Sequence, residues 1–108
     1  MTSNLSYSDI SVRDIESYRG KARFIDVREP HEFTGELGHI AGTELVPLAT
    51  VSGTASGWNL DEPLVIICRS GGRSGRAAAA LVEAGFKNVM NMAGGMLAYE
   101  AASLPTER

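Results

Sequence analysis

Residues 64–76, Leu-Val-Ile-Ile-Cys-Arg-Ser-Gly-Gly-Arg-Ser-Gly-Arg, constrain the fold more than any other stretch of the chain. The segment opens with four consecutive branched apolar residues, Leu64 to Ile67. A run this short, with no polar alternation, predicts a strand covered on both faces. A helical pattern begins near Arg73 and runs through Ala77, Ala80, Leu81 and Ala84. Between strand and helix lies a loop with two adjacent glycines, Gly71 and Gly72, and the only cysteine of the chain, Cys68, opens it. Strand, tight loop and helix together make the repeating unit of a parallel sheet, whose ligands bind at the carboxyl ends of the strands.

The chemistry of such a loop follows from its backbone. A chain entering a helix N-terminus turns several N–H groups inward, and the helix dipole adds partial positive charge there. Glycines let the backbone curl close to whatever sits in the cradle. Arg69, Arg73 and Arg76 add formal charge around it. A cysteine at the edge of this cradle ionises more easily than a free thiol. The loop therefore reads as an anion-stabilising nest with a nucleophilic sulfur at its rim.

Cys68-Arg69-Ser70-Gly71-Gly72-Arg73-Ser74 resembles the active-site loop of the rhodanese (thiosulfate sulfurtransferase) domains. The resemblance implies that Cys68 takes a sulfane sulfur from a donor and holds it as a persulfide in the ring of loop amides. The sulfur then passes to a nucleophile such as cyanide or a thiol. Four residues separate Cys68 from Arg73, whereas cysteine phosphatases carry five, and the position they use for arginine is Ser74 here. A smaller ring suits one sulfur better than a tetrahedral oxyanion.

Other segments carry the same resemblance. Asp26-Val27-Arg28 ends an expected strand over Ala22 to Val27, with a short helix from His31 to Gly35 after Pro30. Gly38-His39-Ile40 precedes a short strand ending in Pro47-Leu48, and Gly94-Gly95 leads into a final helix expected to end near Ser103. Asp26 is expected to clamp the loops at the strand end. Arg28 forms a structural ion pair or faces the substrate cleft, and both readings stay open. His39 is expected to anchor a loop rather than act as a base, since a preformed thiolate needs none. Arg69 is expected to attract anionic donors, and Arg73 to orient the loop or stabilise the bound anion. Ser70 and Ser74 donate hydroxyl hydrogen bonds to the persulfide or cap the helix. Gly71 and Gly72 serve backbone geometry, and Arg76 reads as a surface charge.

The remaining chain adds bounds. At 108 residues, one domain is expected, with residues 1–7 as a loose N-terminal segment. A short strand over Ser8 to Ile10 precedes a helix from Val12 to about Tyr18, capped by Ser11 with Asp14 as its capping-box partner. Residues 49–63 read as a short turn, Leu48 to Ser52, and then a loop pinned to the core by Trp58. The helix after the central loop ends at Gly85, and a last strand covers Lys87 to Met92. The net charge of −3 argues against nucleic-acid binding. No apolar run is long enough to span a membrane, and no signal peptide is visible in Met1 to Tyr7. A single cysteine forms no internal disulfide and is too few for a thiolate metal cluster, so neither metal nor cofactor is expected. The cytoplasm, which keeps thiols reduced, is the expected compartment.

The expected architecture is an α/β rhodanese-like fold, a mostly parallel sheet of about five strands with helices on both faces. The expected activity is transfer of sulfur from a small anionic donor, through Cys68, to a thiol or protein acceptor. A sulfur-relay or interaction module with little turnover is the alternative, followed by an arsenate reductase or phosphatase-like oxyanion enzyme.

Overall fold

A computed structural model describes residues 6–108. Five strands, β1 (Ser8–Ile10), β2 (Arg23–Asp26), β3 (Glu44–Leu45), β4 (Leu64–Ile67) and β5 (Val89–Met92), form one sheet in the order β1-β5-β4-β2-β3. Every pairing is parallel. β4 occupies the centre, and all four of its residues are buried. Its side chains divide between two cores, as a strand period of two requires. Leu64 and Ile66 join Ile25, Val27 and Val89 on one face, while Val65 and Ile67 join Phe24, Met90 and Met92 on the other.

Helices cover each face. On the first lie α2 (Val51–Ala55) and α3 (Gly72–Glu83), and on the second a 3₁₀ helix (Val12–Tyr18) and α4 (Gly95–Ala101). The short helix α1 (Pro30–Phe33) follows the end of β2. α3 turns Ala77, Ala78, Leu81 and Val82 inward, and its alanines allow close approach to the sheet. Paired bonds end it, from Gly85 N–H to the Val82 carbonyl (3.0 Å) and from Phe86 N–H to the Leu81 carbonyl (3.1 Å).

Several boundaries differ from expectation. The Leu48–Thr50 turn is 3₁₀ and continues as α2 through Ala55. Val51 and Ala55 stand four residues apart on one face and are both buried, so packing holds a helix where Ser52, Gly53 and Thr54 disfavour one. Trp58 then sits edge-on to Phe86, with the Arg23 guanidinium 3.9 Å from its ring, and fixes the loop to the core. Ser11 caps the first helix, but its hydroxyl accepts from Arg13 N–H and Asp14 does not reciprocate. Of the expected loose segment, residues 1–5 lie outside the described residues, while Tyr7 packs on the core with its hydroxyl beside Gly75.

The last helix ends at Ala101, two residues early, because Ser103 takes a left-handed conformation (φ 59°). Ser103 N–H bonds the Glu100 carbonyl, and Leu104 turns back toward that of Tyr99. The buried Tyr99 hydroxyl donates to the Pro105 carbonyl at 2.9 Å and secures the following chain. A side chain at this φ carries strain that glycine lacks. Ser103→Gly is therefore expected to raise stability by about 0.5–1 kcal/mol, after allowing for the greater unfolded-state freedom of glycine. A urea unfolding midpoint that stays level or falls would contradict the assigned strain.

Candidate active site

β4 delivers Cys68 to the carboxyl end of the sheet centre, and the chain curls over it within four residues to start α3. Gly71, at φ 105°, makes the turn that other residues resist. Gly71 N–H points at the Cys68 sulfur (3.0 Å), and the Ser74 hydroxyl donates to it at 3.2 Å. The residue is only 1% exposed. Burial pushes the Cys68 thiol up, but the Ser74 hydroxyl and the amides of Ser74, Gly71 and Ser70 outweigh it and hold the thiol below its ordinary value. Dipoles of the surrounding loop thus favour the thiolate.

The loop is held from behind by the start of α4. Met96 N–H bonds the Cys68 carbonyl (2.8 Å), and Leu97 N–H bonds that of Arg69 (2.9 Å). Approach this close needs Gly95, where a Cβ would stand 2.5 Å from the Arg69 carbonyl and 2.6 Å from that of Cys68. With its carbonyls engaged by α4, the loop presents amides to the sulfur.

The neighbouring strand supplies a second support. Asp26 and Arg28, 0% and 1% exposed, form a bidentate pair at 2.8–3.1 Å. Asp26 also accepts from the Arg28 backbone N–H. The same guanidinium donates to the carbonyls of Gly38 (2.7 Å) and Glu32 (3.2 Å). Arg28 thus forms a structural ion pair, and it also lines the cleft beside the loop. His39 stacks on Phe33 at 3.7 Å, its Nδ1 lies 2.8 Å from the Phe33 carbonyl, and its backbone bridges to Glu107. Its ring therefore anchors a loop.

The arginines of the loop divide. Arg73 is gripped by both oxygens of Glu32, at 2.7 and 2.8 Å. Arg69 and Arg76 are exposed, as are Ser70 and Gly72, whereas Ser74 is fully buried under the sulfur. The Arg73 hydrogen bond, aided by Glu29 N–H and the nearby charges of Arg73 and Arg28, overcomes burial and holds the Glu32 carboxyl at about 2. Glu32 and Gly95 are the site residues that sequence reasoning did not assign. The Gly94-Gly95 pair was visible as a helix start, but nothing local links Glu32 to a partner 41 positions away.

Among the described residues, no group of three or more His, Cys, Asp or Glu side chains could hold a metal ion. No described helix is long and apolar enough to cross a membrane.

The chain is similar to known proteins. The rhodanese-like domain family matches residues 12–102. Thiosulfate sulfurtransferase GlpE of Pseudoalteromonas translucida is 39% identical over 77 residues, covering 71% of each chain. The uncharacterized protein YqhL of Bacillus subtilis is 41% identical over 75 residues, 69% of this chain but only 58% of its own length. The crystal structure of a rhodanese-related protein from Thermoplasma volcanium superposes with a TM-score of 0.82 at 26% identity, over 92% of this chain and 96% of the other.

The Glu32–Arg73 pair yields a pH prediction. A carboxyl lowered to about 2 in the folded chain, from an ordinary 4.5, contributes stability that is fully present above about pH 4.5 and lost as pH falls toward 2. Glu32→Gln is expected to lower stability near pH 7 by about 1–2 kcal/mol, with the gap to wild type closing in acid. Urea titrations at neutral pH and near the lower end of that window measure it. A gap that stays constant between them would show that Glu32 ionisation does not support the fold.

Proposed function

The chain belongs to the rhodanese-like domain family, and from that premise we propose that it is a sulfurtransferase working through a Cys68 persulfide. The observation that carries this reading is the sulfur held between Gly71 N–H at 3.0 Å and the Ser74 hydroxyl at 3.2 Å. The relation to proteins named thiosulfate sulfurtransferase supports it.

In the first half of the reaction, the Cys68 thiolate attacks the outer sulfur of a donor such as thiosulfate. A new S–S bond forms, the donor S–S bond breaks, and sulfite departs with the electron pair. The terminal sulfur of the persulfide is anionic and rests among the amides of Ser70, Gly71 and Ser74, which already face Sγ. In the second half, a thiolate or cyanide attacks that terminal sulfur, and Cys68 leaves as a thiolate. The chain has one cysteine, so the acceptor comes from outside it. A reducing cytoplasm would keep Cys68 a thiol, ready for the next cycle. Asp26, Arg28, His39, Glu32 and Arg73 support the loop, and Arg69, exposed next to Cys68, is available to meet an anionic donor.

Thiocyanate release from thiosulfate and cyanide tests the proposal. Wild type is expected to release it, and Cys68→Ser to lose at least a thousandfold in rate, as expected when an essential nucleophile is removed. Release that persists in the variant would refute the assignment of Cys68. Absence of release in wild type, with turnover of arsenate or an aryl phosphate instead, would point to oxyanion chemistry. Absence of every turnover would point to a donor-specific relay.

The pH profile examines the nest itself. Persulfide formation follows the thiolate, so its acid limb is expected below the ordinary thiol range, about 8.5. Ser74→Ala removes a hydrogen bond that favours the charged sulfur, and the limb is expected to move to higher pH. Stopped-flow rates of sulfur loading would show it. A limb that stays in place would mean that Ser74 does not stabilise the thiolate.

A further inference from the structure

A cleft of about 300 Å³ opens beside the loop, between the segment after α1, Arg69 and α4. Its volume lies at the lower end of small-molecule sites, about 300–1,000 Å³. Two of its charged residues are already paired, Arg28 with Asp26 and Glu32 with Arg73. Arg69, Glu36 and Glu100 are exposed and form no ion pair among the described residues, and the exposed ring of His31 lines the cleft with them. Leu37 and Leu97 complete the wall, and Leu97 is 38% exposed, an uncommon position for a leucine of this chain.

This set of groups is poorly matched to a bare dianion. Beyond the loop, thiosulfate would meet two unpaired carboxylates beside the Arg69 guanidinium and the His31 ring. A molecule that carries a carboxylate and an ammonium on a short carbon stem would satisfy both signs of charge and the apolar wall.

We infer that the cleft selects amino-acid-type thiols, bearing an α-ammonium and a carboxylate, as the sulfur acceptor. Arg69 takes the carboxylate, Glu36 and Glu100 take the ammonium, and Leu37 and Leu97 line the stem. The inference rests on the persulfide reading above. The acceptor thiolate attacks the outer sulfur of the Cys68 persulfide. One S–S bond forms, the bond between Cys68 and that sulfur breaks with its electron pair on Cys68, and the acceptor departs as a persulfide. No outside oxidant or reductant is needed.

The test loads the full chain with inorganic polysulfide and follows the added sulfur atom by intact mass. Unloading rates are then compared for free cysteine, cysteamine and 3-mercaptopropionate at one pH. Ratios of variant to wild type for each thiol cancel intrinsic thiol reactivity. The double variant Glu36→Gln, Glu100→Gln is expected to slow cysteine and cysteamine by about threefold to tenfold and to speed 3-mercaptopropionate. Arg69→Gln is expected to slow cysteine and 3-mercaptopropionate and to speed cysteamine. Variants that change all three thiols by one common factor, or change none, overturn the inference while leaving the persulfide intact. A wild type that takes up no sulfur overturns the persulfide reading and this inference with it.

Discussion

Asp26 and Arg28 are withdrawn from water at the carboxyl end of β2, where an unmatched charge would cost several kcal/mol. The pair is tolerated because its polar atoms are engaged, by each other and by the carbonyls of Glu32 and Gly38. That requirement leaves the segment from residue 26 to residue 39 little freedom. Once Arg28 holds the Glu32 carbonyl, the Glu32 side chain is placed where it grips Arg73 in the first turn of α3. The first turn of α3 is also the rim of the sulfur nest. A buried ion pair at the end of the strand next to β4 thus helps set the position of the amides that face the sulfur.

The nest has an unexpected electrostatic character. Three arginines near one cysteine suggest that formal charge lowers the thiol pKa, but Arg73 is neutralised by Glu32 and Arg69 and Arg76 face solvent. The groups that reach the sulfur are amide dipoles and one hydroxyl. Such dipoles are fixed by the covalent chain and cost nothing to reorient when negative charge arrives. They act locally and are little screened by salt, unlike a surface cation. The design suits a sulfur that carries negative charge.

The sequence made the architecture legible where pattern and structure share a cause. The unbroken Leu64–Ile67 run announces a strand with neighbours on both faces, and β4 is the centre of a five-strand parallel sheet. Gly85 marks the end of α3 because the capping geometry is local. Legibility fails where the cause is distant. The role of Arg28 depends on which carbonyls the fold brings to it, and the Glu32 grip on Arg73 joins residues 41 positions apart. The length of α2 is hidden because Ser52, Gly53 and Thr54 disfavour helix, while burial of Val51 and Ala55 decides otherwise. Tyr7 looks like part of a loose end in the sequence because its neighbour, Gly75, comes near only once β1 pairs with β5.

α4 shows how the two levels of the site are kept separate. Its N-terminal amides hold the loop carbonyls, and its buried residues Met96 and Tyr99 fasten it to the sheet. Its exposed residues Leu97 and Glu100 face the cleft instead. One helix therefore carries the support of the nest on its buried side and part of the cleft wall on its exposed side. Changes on the exposed face alter what approaches the sulfur without disturbing the amides that hold it, because surface side chains seldom couple to a packed backbone. Changes at Gly95 cannot be so confined, since any Cβ there meets the loop carbonyls directly. The support of the nest is thus written in backbone, where substitution is punished, and the cleft wall in side chains, where it is tolerated.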